Sequence, residues 1–544
     1  MKSYLHVLVF LISIVLLTAC SSTESTEAVE DNNTNSSSTT DGSKVLTFLS
    51  SNAIATIDPA KHTDESSSHI VINTYDPLLY PNIAGKSMEP AAHIAKEWSI
   101  SDDAKTYTFK IQEGVTFQSG NALTADDVVF SMQRILSIKQ GNSWMWDGLL
   151  EVENVKKIDD LTVEMTLTQP YAPFLSTLTQ LFIVDSKLVN ENIQSGDFGE
   201  NGDYGQAYLA ENSAGSGPYK IESWQRGSEM KLTYFPEYWK GWSEKQVENV
   251  RYLIVSEEAT RKTMIRSGEA QMADQWMSNQ SKQELAKDDS IVLAEDPSTQ
   301  LYHITMNTQK APLDDVNVRK AISYAFDYDT ANDQVLGGAE KAQGPVPLLV
   351  PGHSEEASVY EYDLDKAKEY MNKSKYSGQD LTIEYYYVTD IEEERKTGLL
   401  LQTNLKEIGI NVELVGVPWT QITEITSNVD TTPHMIAVYD SLKYPHVDSH
   451  TYGIYHPNSH GSYRAASWYV NEETKTLLDN ARKEIDPEKQ LNYYREAQNI
   501  VAEDAVSIFI GNPTHRLVYR KNLEGYTFVG LTGYDTSFYY FTLQ

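Results

Sequence analysis

Strand-like and helix-like periodicities alternate along this 544-residue chain. The segments TYTFKI (106–111) and LTVEMTL (161–167) alternate apolar with polar side chains, which is typical of strands that bury one face. Between them, Thr124 and Asp127 have the spacing of a helix N-terminal capping box, and apolar residues follow at helical spacing. The alternation predicts a mixed α/β fold, and the length favours several lobes over one core.

The same pattern recurs in the second half of the chain. Leu401, Leu405 and Ile408 have the spacing of a buried helix face, and Gly409 is the residue type that ends helices. The segment INVELVGV (410–417) then resumes the alternation of a strand. This order indicates a helix that leads directly into a strand.

The N-terminus has the order of a secretory signal peptide over residues 1–19: one lysine, a short apolar stretch and then small residues. The apolar stretch is too short to span a bilayer comfortably. The sequence LTAC (17–20) resembles the bacterial lipobox, whose cysteine receives a diacylglycerol, so we expect lipid attachment at Cys20. The alternative is an ordinary signal peptide in which this cysteine, the only one in the chain, is incidental.

The segment that follows, residues 20–43, consists mainly of serine, threonine, asparagine and acidic residues. It has too little apolar surface to offset the entropy of ordering, so we expect a disordered tether between a membrane and a folded body. No later stretch is apolar for long enough to cross a bilayer.

The charge is strongly acidic, with 77 Asp and Glu against 44 Lys and Arg and a net charge of −33. Such a surface repels a phosphate backbone, so nucleic acid is not an expected partner. The excess of carboxylates is explained by the solubility of an extracellular surface and does not indicate a substrate.

Motifs of enzymes are mostly missing from the sequence. It contains no HExxH, no P-loop and no paired-cysteine metal site, and SAGSGPY (213–219) does not fit the G-x-S-x-G pattern but predicts a turn before a strand. The many carboxylates leave a glycosidase pair open, although abundance is not a spacing signal. We therefore expect a protein without catalytic residues and without a cofactor.

Five histidines fall within 27 residues: His434, His446, His450, His456 and His460. The four-residue spacing of the second and third would place two imidazoles on one helix face, as in a transition-metal or metal-chelate site. We favour a polar loop with hydrated histidines, because no cysteine or second well-spaced pair completes a metal site. Aromatic clusters at 142–148 and 234–242 are read mainly as packing, with a minority of rings lining a pocket.

Four ordered segments resemble the family 5 extracellular solute-binding proteins of bacterial ABC importers, the oligopeptide- and dipeptide-binding type. They are WSISDDAKTYTFKIQEGVTFQSGNALTADDVVFSMQRIL (98–136), GSGPYKIESWQRGSEMKLTYFPEYW (215–239), MNTQKAPLDDVNVRKAISYAFDYD (306–329) and LQTNLKEIGINVELVGVPW (401–419). The resemblance covers essentially the whole mature chain.

The resemblance implies a two-lobed Venus-flytrap architecture, α/β in class, with an extra subdomain and two hinge crossings. Lobe I would comprise 44–74, 216–301 and 508–544; the subdomain 75–215 would be inserted in it, and lobe II would comprise 302–507. The crossings would lie near LYHITMNT (301–308) and AVSIFIGN (505–512). A ligand would bind between the lobes and favour their closure.

The resemblance also implies ligand-binding residues, chiefly in AVYDSLKYPHVDS (437–449). The family's peptide binders have an aspartate before Tyr-Pro that meets the ligand's ammonium, whereas this chain has a lysine there. We expect that lysine to be paired either by an internal carboxylate, from the first or second aspartate of the segment, or by a negative group of the ligand, and we favour the ligand. The implied ligand-binding residues are Trp419, Tyr439, Asp440, Lys443, Tyr444 and Asp448.

These observations together predict a non-enzymatic, monomeric, lipid-anchored substrate-binding protein outside the cytoplasm. Its partners would be a peptide or other small ligand and an ABC permease in the cytoplasmic membrane. An oligosaccharide or a metal chelate bound by the same fold, and a secreted carbohydrate-active enzyme, are the alternatives.

Overall fold

The computed structural model describes residues 44–82 and 89–544. The predicted signal peptide, the attachment residue Cys20 and the tether lie outside the described residues. Within the described part of the chain, no helix combines the length and apolar character that crossing a membrane requires.

The strands of the described residues are β1 (Val45–Ser50), β2 (Leu79–Tyr80), β3 (Ala91–Ala92), β4 (Ala95–Ile100), β5 (Thr106–Ile111), β6 (Val155–Asp159), β7 (Thr162–Thr166), β8 (Tyr219–Gln225), β9 (Glu229–Tyr234), β10 (Asn249–Ile254), β11 (Met272–Ala273), β12 (Ile291–Asp296), β13 (Leu301–Met306), β14 (Glu340–Lys341), β15 (Leu381–Val388), β16 (Ile410–Val417), β17 (Met435–Asp440), β18 (Ser507–Asn512), β19 (His515–Arg520), β20 (Leu523–Glu524) and β21 (Thr542–Leu543).

The α-helices are α1 (Glu65–Thr74), α2 (Ala125–Ile138), α3 (Phe174–Thr177), α4 (Ser186–Glu191), α5 (Gln206–Leu209), α6 (Glu258–Ser267), α7 (Asn279–Leu285), α8 (Val316–Ala325), α9 (Tyr328–Thr330), α10 (Leu364–Lys373), α11 (Glu392–Lys406), α12 (Trp419–Ile425), α13 (Tyr452–Tyr455), α14 (Glu472–Lys483) and α15 (Pro487–Glu503). Short 3₁₀ helices include Val447–Ser449 and Tyr463–Ala465, and a π-helical turn spans Ala331–Val335.

Two large sheets form the centres of two lobes. The seven-stranded sheet has the order β12-β19-β11-β1-β10-β9-β8, and we call the part of the chain built on it lobe I. Its central strand β1 runs parallel to β10 and β11, while β8, β9, β12 and β19 pair antiparallel with their neighbours. Because β19 comes from the C-terminal part of the chain, both ends of the sequence contribute to this sheet.

The six-stranded sheet has the order β14-β18-β13-β17-β15-β16, and we call the part built on it lobe II. Strands β15 and β16 are parallel, and α11 connects them, as parallel pairing requires a crossover. The predicted helix face is correct, since Leu401 and Leu405 of α11 are buried. Gly409 has φ +79° and lies directly before β16, in the left-handed region that glycine tolerates best.

A smaller four-stranded antiparallel sheet, β4-β5-β7-β6, lies in the chain between β1 and β8. The alternation predicted for β5 is confirmed, because Tyr107, Phe109 and Ile111 are buried. Helix α2 packs on this sheet, and its predicted capping box between Thr124 and Asp127 is present. We call this part of the chain the subdomain.

The chain passes between the two large sheets at two places in the described residues. It leaves lobe I after β12 and enters lobe II at β13, then returns from β18 to β19. Strands β13 and β18 are hydrogen-bonded neighbours, antiparallel to each other. The crossings therefore lie side by side, near the two segments in which they were predicted, while the residue boundaries of the lobes stay a prediction.

A buried ion pair fastens α2 to the segment before α1, and its loss should destabilise the fold. Arg134 donates to both carboxylate oxygens of Asp58 at 2.6 Å and to the carbonyl of Tyr204 at 2.7 Å. Both side chains are 1% exposed. Arg134→Leu leaves a buried carboxylate without its cation, so we expect the free energy of unfolding to fall by about 3–5 kcal/mol in urea denaturation.

The matched control is Arg226→Leu, which removes an exposed ion pair with Glu211. We expect this change to cost at most about 1 kcal/mol, because solvent screens exposed pairs. Equal losses in the two variants would contradict the structural role assigned to Arg134.

Candidate functional site

A cavity lies between the two lobes. Its walls come from both lobes: Asn52, Glu65, Ser66, Gln275, Trp276, Ser298, Thr299, Gln300, His515, Phe528, Gly530, Leu531, Thr532, Gly533 and Asp535 on one side, and Ile391, Glu394, Trp419, Tyr439, Ser441 and Tyr463 on the other. A molecule in this cavity would contact lobe I and lobe II at once.

The ends of regular elements position the lining side chains. Glu65 is the first residue of α1, after the N-cap Asp64. Trp419 is the first residue of α12, where Pro418 forms the N-cap, and Glu394 lies in the first turn of α11. Because these helices begin at the interlobe face, their first turns present side chains to the cavity.

Aromatic rings form much of the wall and hold one another in place. Trp276 of lobe I packs edge-on against Tyr439 of lobe II, with ring centroids 5.3 Å apart. Trp419 packs edge-on against Tyr463 at 4.8 Å. Such rings offer large, rigid surfaces against which an apolar or planar part of a ligand can pack.

The charged groups of the lining are carboxylates: Glu65, Glu394 and Asp535, with no lysine or arginine among the lining residues. Burial raises the pKa of Glu394 well above its ordinary value. It also raises the pKa of Asp535 to about 7, although hydrogen bonds from the backbone N–H groups of Val529 and Gly530 lower it. Burial alone would raise the pKa of Glu65, but hydrogen bonds with His69 and Gln275 lower it below its ordinary value. The cavity is therefore a place where a positive group would be stabilised.

Two of the six residues expected to bind ligand line this cavity, namely Trp419 and Tyr439. The other four, Asp440, Lys443, Tyr444 and Asp448, do not line it and are at most 2% exposed. Their side chains lie behind the wall, where they contact other parts of the protein.

Lys443 lies directly behind the cavity wall. Its ammonium donates to the carbonyl of Thr63, to the Thr532 hydroxyl at 3.2 Å and to the Tyr463 hydroxyl at 3.4 Å. An ammonium has three donors, so none remains for the negative ligand group that the sequence favoured. Thr63 precedes α1 of lobe I and Tyr463 belongs to lobe II, so this side chain bridges the lobes.

The less favoured alternative, an ion pair between Lys443 and an internal aspartate, is not formed either, because arginines pair with both candidates. Arg464 donates to Asp440 at 2.7 Å, and Arg482 donates to Asp448 at 2.7 Å. Burial alone would raise the pKa of Asp448, but Arg482 and several hydrogen bonds outweigh it and hold that pKa at about 2. Both carboxylates are thus structural in this arrangement.

Asp448 is the centre of a larger buried network. Its carboxylate also accepts from the hydroxyls of Tyr171 at 2.9 Å and Tyr494 at 2.7 Å, and from that of Tyr444. Tyr171 belongs to the subdomain, whereas Tyr494 and Arg482 belong to α15 and α14. The network therefore connects the subdomain to the helices of lobe II.

The histidine-rich segment forms no metal site in the described residues, where no group of three or more His, Cys, Asp or Glu could hold a metal ion. His446 caps the 3₁₀ helix Val447–Ser449, and His450 contacts the carbonyl of Thr299 at 3.3 Å. The favoured hydrated loop is wrong for His450, which is fully buried, whereas His446 is partly exposed. Burial lowers the pKa of both side chains.

Several lining residues escaped the sequence analysis, among them Glu65, Trp276, Glu394, His515 and Asp535. They stem from segments far apart in the chain, and no local spacing connects them. Only the start of a helix, predicted by an N-cap such as Asp64, could have drawn attention to Glu65.

A cavity lined by aromatic rings, between two lobes that two neighbouring strands connect, is the arrangement of a two-lobed solute-binding protein. Residues 89–462 match the model of the bacterial extracellular solute-binding proteins, family 5. The chain belongs to this family, whose members act outside the cytoplasm as the binding components of ABC importers. Membership confirms the predicted family and the expectation of a binding protein that is not an enzyme.

Individual relatives span nearly the whole chain. A probable D,D-dipeptide-binding periplasmic protein, DdpA, of Escherichia coli (strain K12) is 28% identical over 485 residues, covering 87% of this chain and 89% of the relative. A dipeptide-binding protein of the same organism is 27% identical and covers 80% and 83%.

The solved structures show the same architecture. The periplasmic binding protein DppA from Helicobacter pylori, in complex with the peptide STSA, superposes with a TM-score of 0.82 at 24% identity. The match covers 92% of this chain and 98% of that one. This confirms the predicted two-lobed α/β fold.

The Lys443 bridge predicts a pH dependence of stability. Burial lowers the pKa of this lysine to about 7, with Arg464 acting in the same direction and Asp440, Asp64 and Glu65 opposing it. Between pH 7 and 10 the unfolded chain binds more protons at this site than the folded protein, so rising pH stabilises the fold. Relative to Lys443→Met, wild type should gain about 1 kcal/mol per pH unit, measured by urea denaturation at pH 7, 8 and 9.

The matched control is Lys139→Met, which changes an exposed lysine. Its stability should run parallel to wild type at all three pH values. A gap between wild type and Lys443→Met that does not change with pH would contradict the assignment.

Proposed function

We propose that this protein captures short peptides between its lobes and delivers them to an ABC permease from a lipid anchor on the outer face of the cytoplasmic membrane. The observation that carries the proposal is the interlobe cavity with its aromatic walls and carboxylates. The names of the two relatives above, both dipeptide-binding, support peptides as the ligand class.

Capture in this arrangement follows from contacts on both sides. A peptide that packs against Trp276 of lobe I and Trp419 of lobe II gains contacts only when the lobes are together. Binding energy that exists only in the closed state shifts the population toward closure. A permease that recognises the closed surface would then accept loaded protein in preference to empty protein.

An oligosaccharide is the second candidate ligand. The edge-on pairs Trp276–Tyr439 and Trp419–Tyr463 leave ring faces on which a sugar could stack. Peptides are favoured over sugars because a neutral sugar would leave the buried carboxylates of the lining without a charge partner.

Peptide binding should depend on Trp419. We expect wild type to bind members of a mixture of di- and tripeptides, measured by isothermal titration and by native mass spectrometry of the retained peptides. Trp419→Ala removes a wall of the cavity and should weaken binding at least about tenfold, or ~1.4 kcal/mol. Tyr362→Ala, which truncates an exposed ring outside the cavity, is the control and should leave affinity unchanged. Retention of oligosaccharides but of no peptide would reject the peptide assignment.

The lipid anchor is tested separately at Cys20. Cys20→Ser removes the only thiol to which a diacylglycerol could be attached, so we expect the variant to leave the membrane fraction while its folded body keeps the wild-type unfolding midpoint. Cell fractionation after a high-salt wash measures the change. Membrane attachment that survives in this variant would show that another feature holds the protein there.

A further inference from the structure

We propose that this protein has a second ligand site, outside the interlobe cavity, which binds a small organic acid with an aromatic body through the ammonium of Lys240. The site is a pocket where strands β2 and β3, the loop after β9 and the C-terminal segment 525–541 meet, and we call it the tail pocket. The residues that matter for the argument are Tyr80, His93, Lys240, Tyr534, Asp535 and Tyr540.

The tail pocket is distinct from the proposed peptide site. Among the described residues, Asp535 alone lines both this pocket and the interlobe cavity. Neither Trp276 nor Trp419, the rings against which a peptide would pack, belongs to the tail pocket. A ligand in the tail pocket would therefore bind without occupying the space between the lobes.

Lys240 lies in the aromatic segment 234–242 and follows two rings that a buried carboxylate holds. Asp76 is 1% exposed and accepts hydrogen bonds from the Tyr238 hydroxyl at 3.0 Å and from Nε1 of Trp239 at 3.3 Å. The two residues directly before Lys240 are thereby fixed, and with them the point from which its side chain starts.

A hydrogen-bonded chain of three side chains positions the ammonium of Lys240. Nε2 of His93 donates to Asp76 at 2.7 Å, and Nδ1 of the same ring lies 2.9 Å from Nζ of Lys240. Burial lowers the pKa of His93, although Asp76 opposes this shift, so the imidazole is neutral. With its proton on the nitrogen that faces the carboxylate, the ring accepts a hydrogen bond from the ammonium at the other nitrogen.

The ammonium of Lys240 has donors to spare. It lies over the rings of Tyr80, 5.2 Å from the centroid, and of Trp239, at 5.1 Å. Within the described residues it makes the one hydrogen bond to His93 and no ion pair, so two of its three N–H groups are available to a ligand. A carboxylate would accept from them and give the lysine the charge-assisted partner that the protein does not provide.

Aromatic rings form the wall beside the ammonium. Tyr80 packs edge-on against Tyr534, with centroids 5.3 Å apart, and against Tyr540 at 6.5 Å. The ring of Tyr540 is 40% exposed, which is unusual for a large side chain in an aromatic cluster. Because Tyr80 contacts both Lys240 and Tyr540, one small molecule can reach the cation and the exposed ring together, with its planar body against the rings.

Asp535 is the one carboxylate among the described residues of the lining, and it opposes an anion only while it is ionised. Its Oδ1 accepts from the backbone N–H groups of Val529 and Gly530, and burial raises its pKa to about 7. At neutral pH a large share of the molecules therefore carries this group uncharged. The charge that remains in the pocket is that of Lys240.

The experiment uses three probes that separate the two parts of the proposed ligand: benzoate, benzamide and acetate. Each is titrated into wild-type protein at pH 7, and binding is measured by isothermal titration and by saturation-transfer NMR of the probe. We expect benzoate to bind at least tenfold more tightly than benzamide, which lacks the charge, and than acetate, which lacks the aromatic body.

Variants then locate the site. Lys240→Met should weaken benzoate binding at least tenfold, and Tyr540→Ala should weaken it severalfold, whereas Lys240→Arg keeps the charge and should retain most of the affinity. The matched controls are Lys245→Met, which changes an exposed lysine five residues further on, and Tyr362→Ala, which truncates an exposed ring elsewhere; both should bind benzoate like wild type. Urea midpoints show whether each variant is folded, and since Lys240 and Tyr540 are both exposed, we expect wild-type values.

The outcomes also separate this site from the peptide site. Trp419→Ala should leave benzoate binding unchanged, and Lys240→Met should leave peptide binding unchanged. Benzoate that fails to bind, that binds no better than benzamide, or that binds Lys240→Met as tightly as wild type would overturn the tail pocket. Benzoate binding that is lost in Trp419→Ala would place the probe in the interlobe cavity and overturn it as well, while leaving peptide capture intact.

Discussion

One buried carboxylate, that of Asp448, joins the subdomain to the helices of lobe II. It is fully buried and accepts hydrogen bonds from a guanidinium and three tyrosine hydroxyls. Arg482 in turn lies over the ring of Tyr452, 3.2 Å from its centroid. A network of this kind stabilises a single geometry, because each member left without its partner would be a buried, unsatisfied polar group. It thereby fixes the subdomain against lobe II.

This network explains how an acidic cavity can exist inside a protein with buried arginines and lysines. The cations directly behind the wall have partners within the protein. Arg464 pairs with Asp440, Arg482 pairs with Asp448, and Lys443 donates hydrogen bonds to neutral oxygens of both lobes. The carboxylates of the lining are thereby left without matching positive charge. A single layer of side chains, formed in part by Tyr463 and Thr532, separates these paired charges from the carboxylates that line the cavity.

Local structure could be predicted from the sequence wherever a short segment determines it. The strand at 106–111, the capping box of α2 and the helix end at Gly409 depend on neighbours within a few positions, and all are present. Trp419 was identified through a resemblance that covers the whole chain. The partners of Lys443 could not be predicted, because they lie about 20 to 380 positions away and meet only through tertiary packing. The carboxylates of the cavity could not be predicted either, because they too meet only through tertiary packing. In addition, an acidic chain offers many equivalent candidates.

The side-by-side crossing strands have a mechanical consequence. Backbone hydrogen bonds between β13 and β18 join them into a ribbon, so neither strand can slide along the other without breaking its ladder. Each strand also pairs with a further strand of lobe II, β13 with β17 and β18 with β14, so only the short links before β13 and after β18 lie between the lobes. Two short links side by side at one edge of the cleft favour rotation of the lobes about that edge over sliding of one lobe past the other. A partner that read this rotation would sense a single variable, the angle between the lobes, whatever the chemical identity of the cargo.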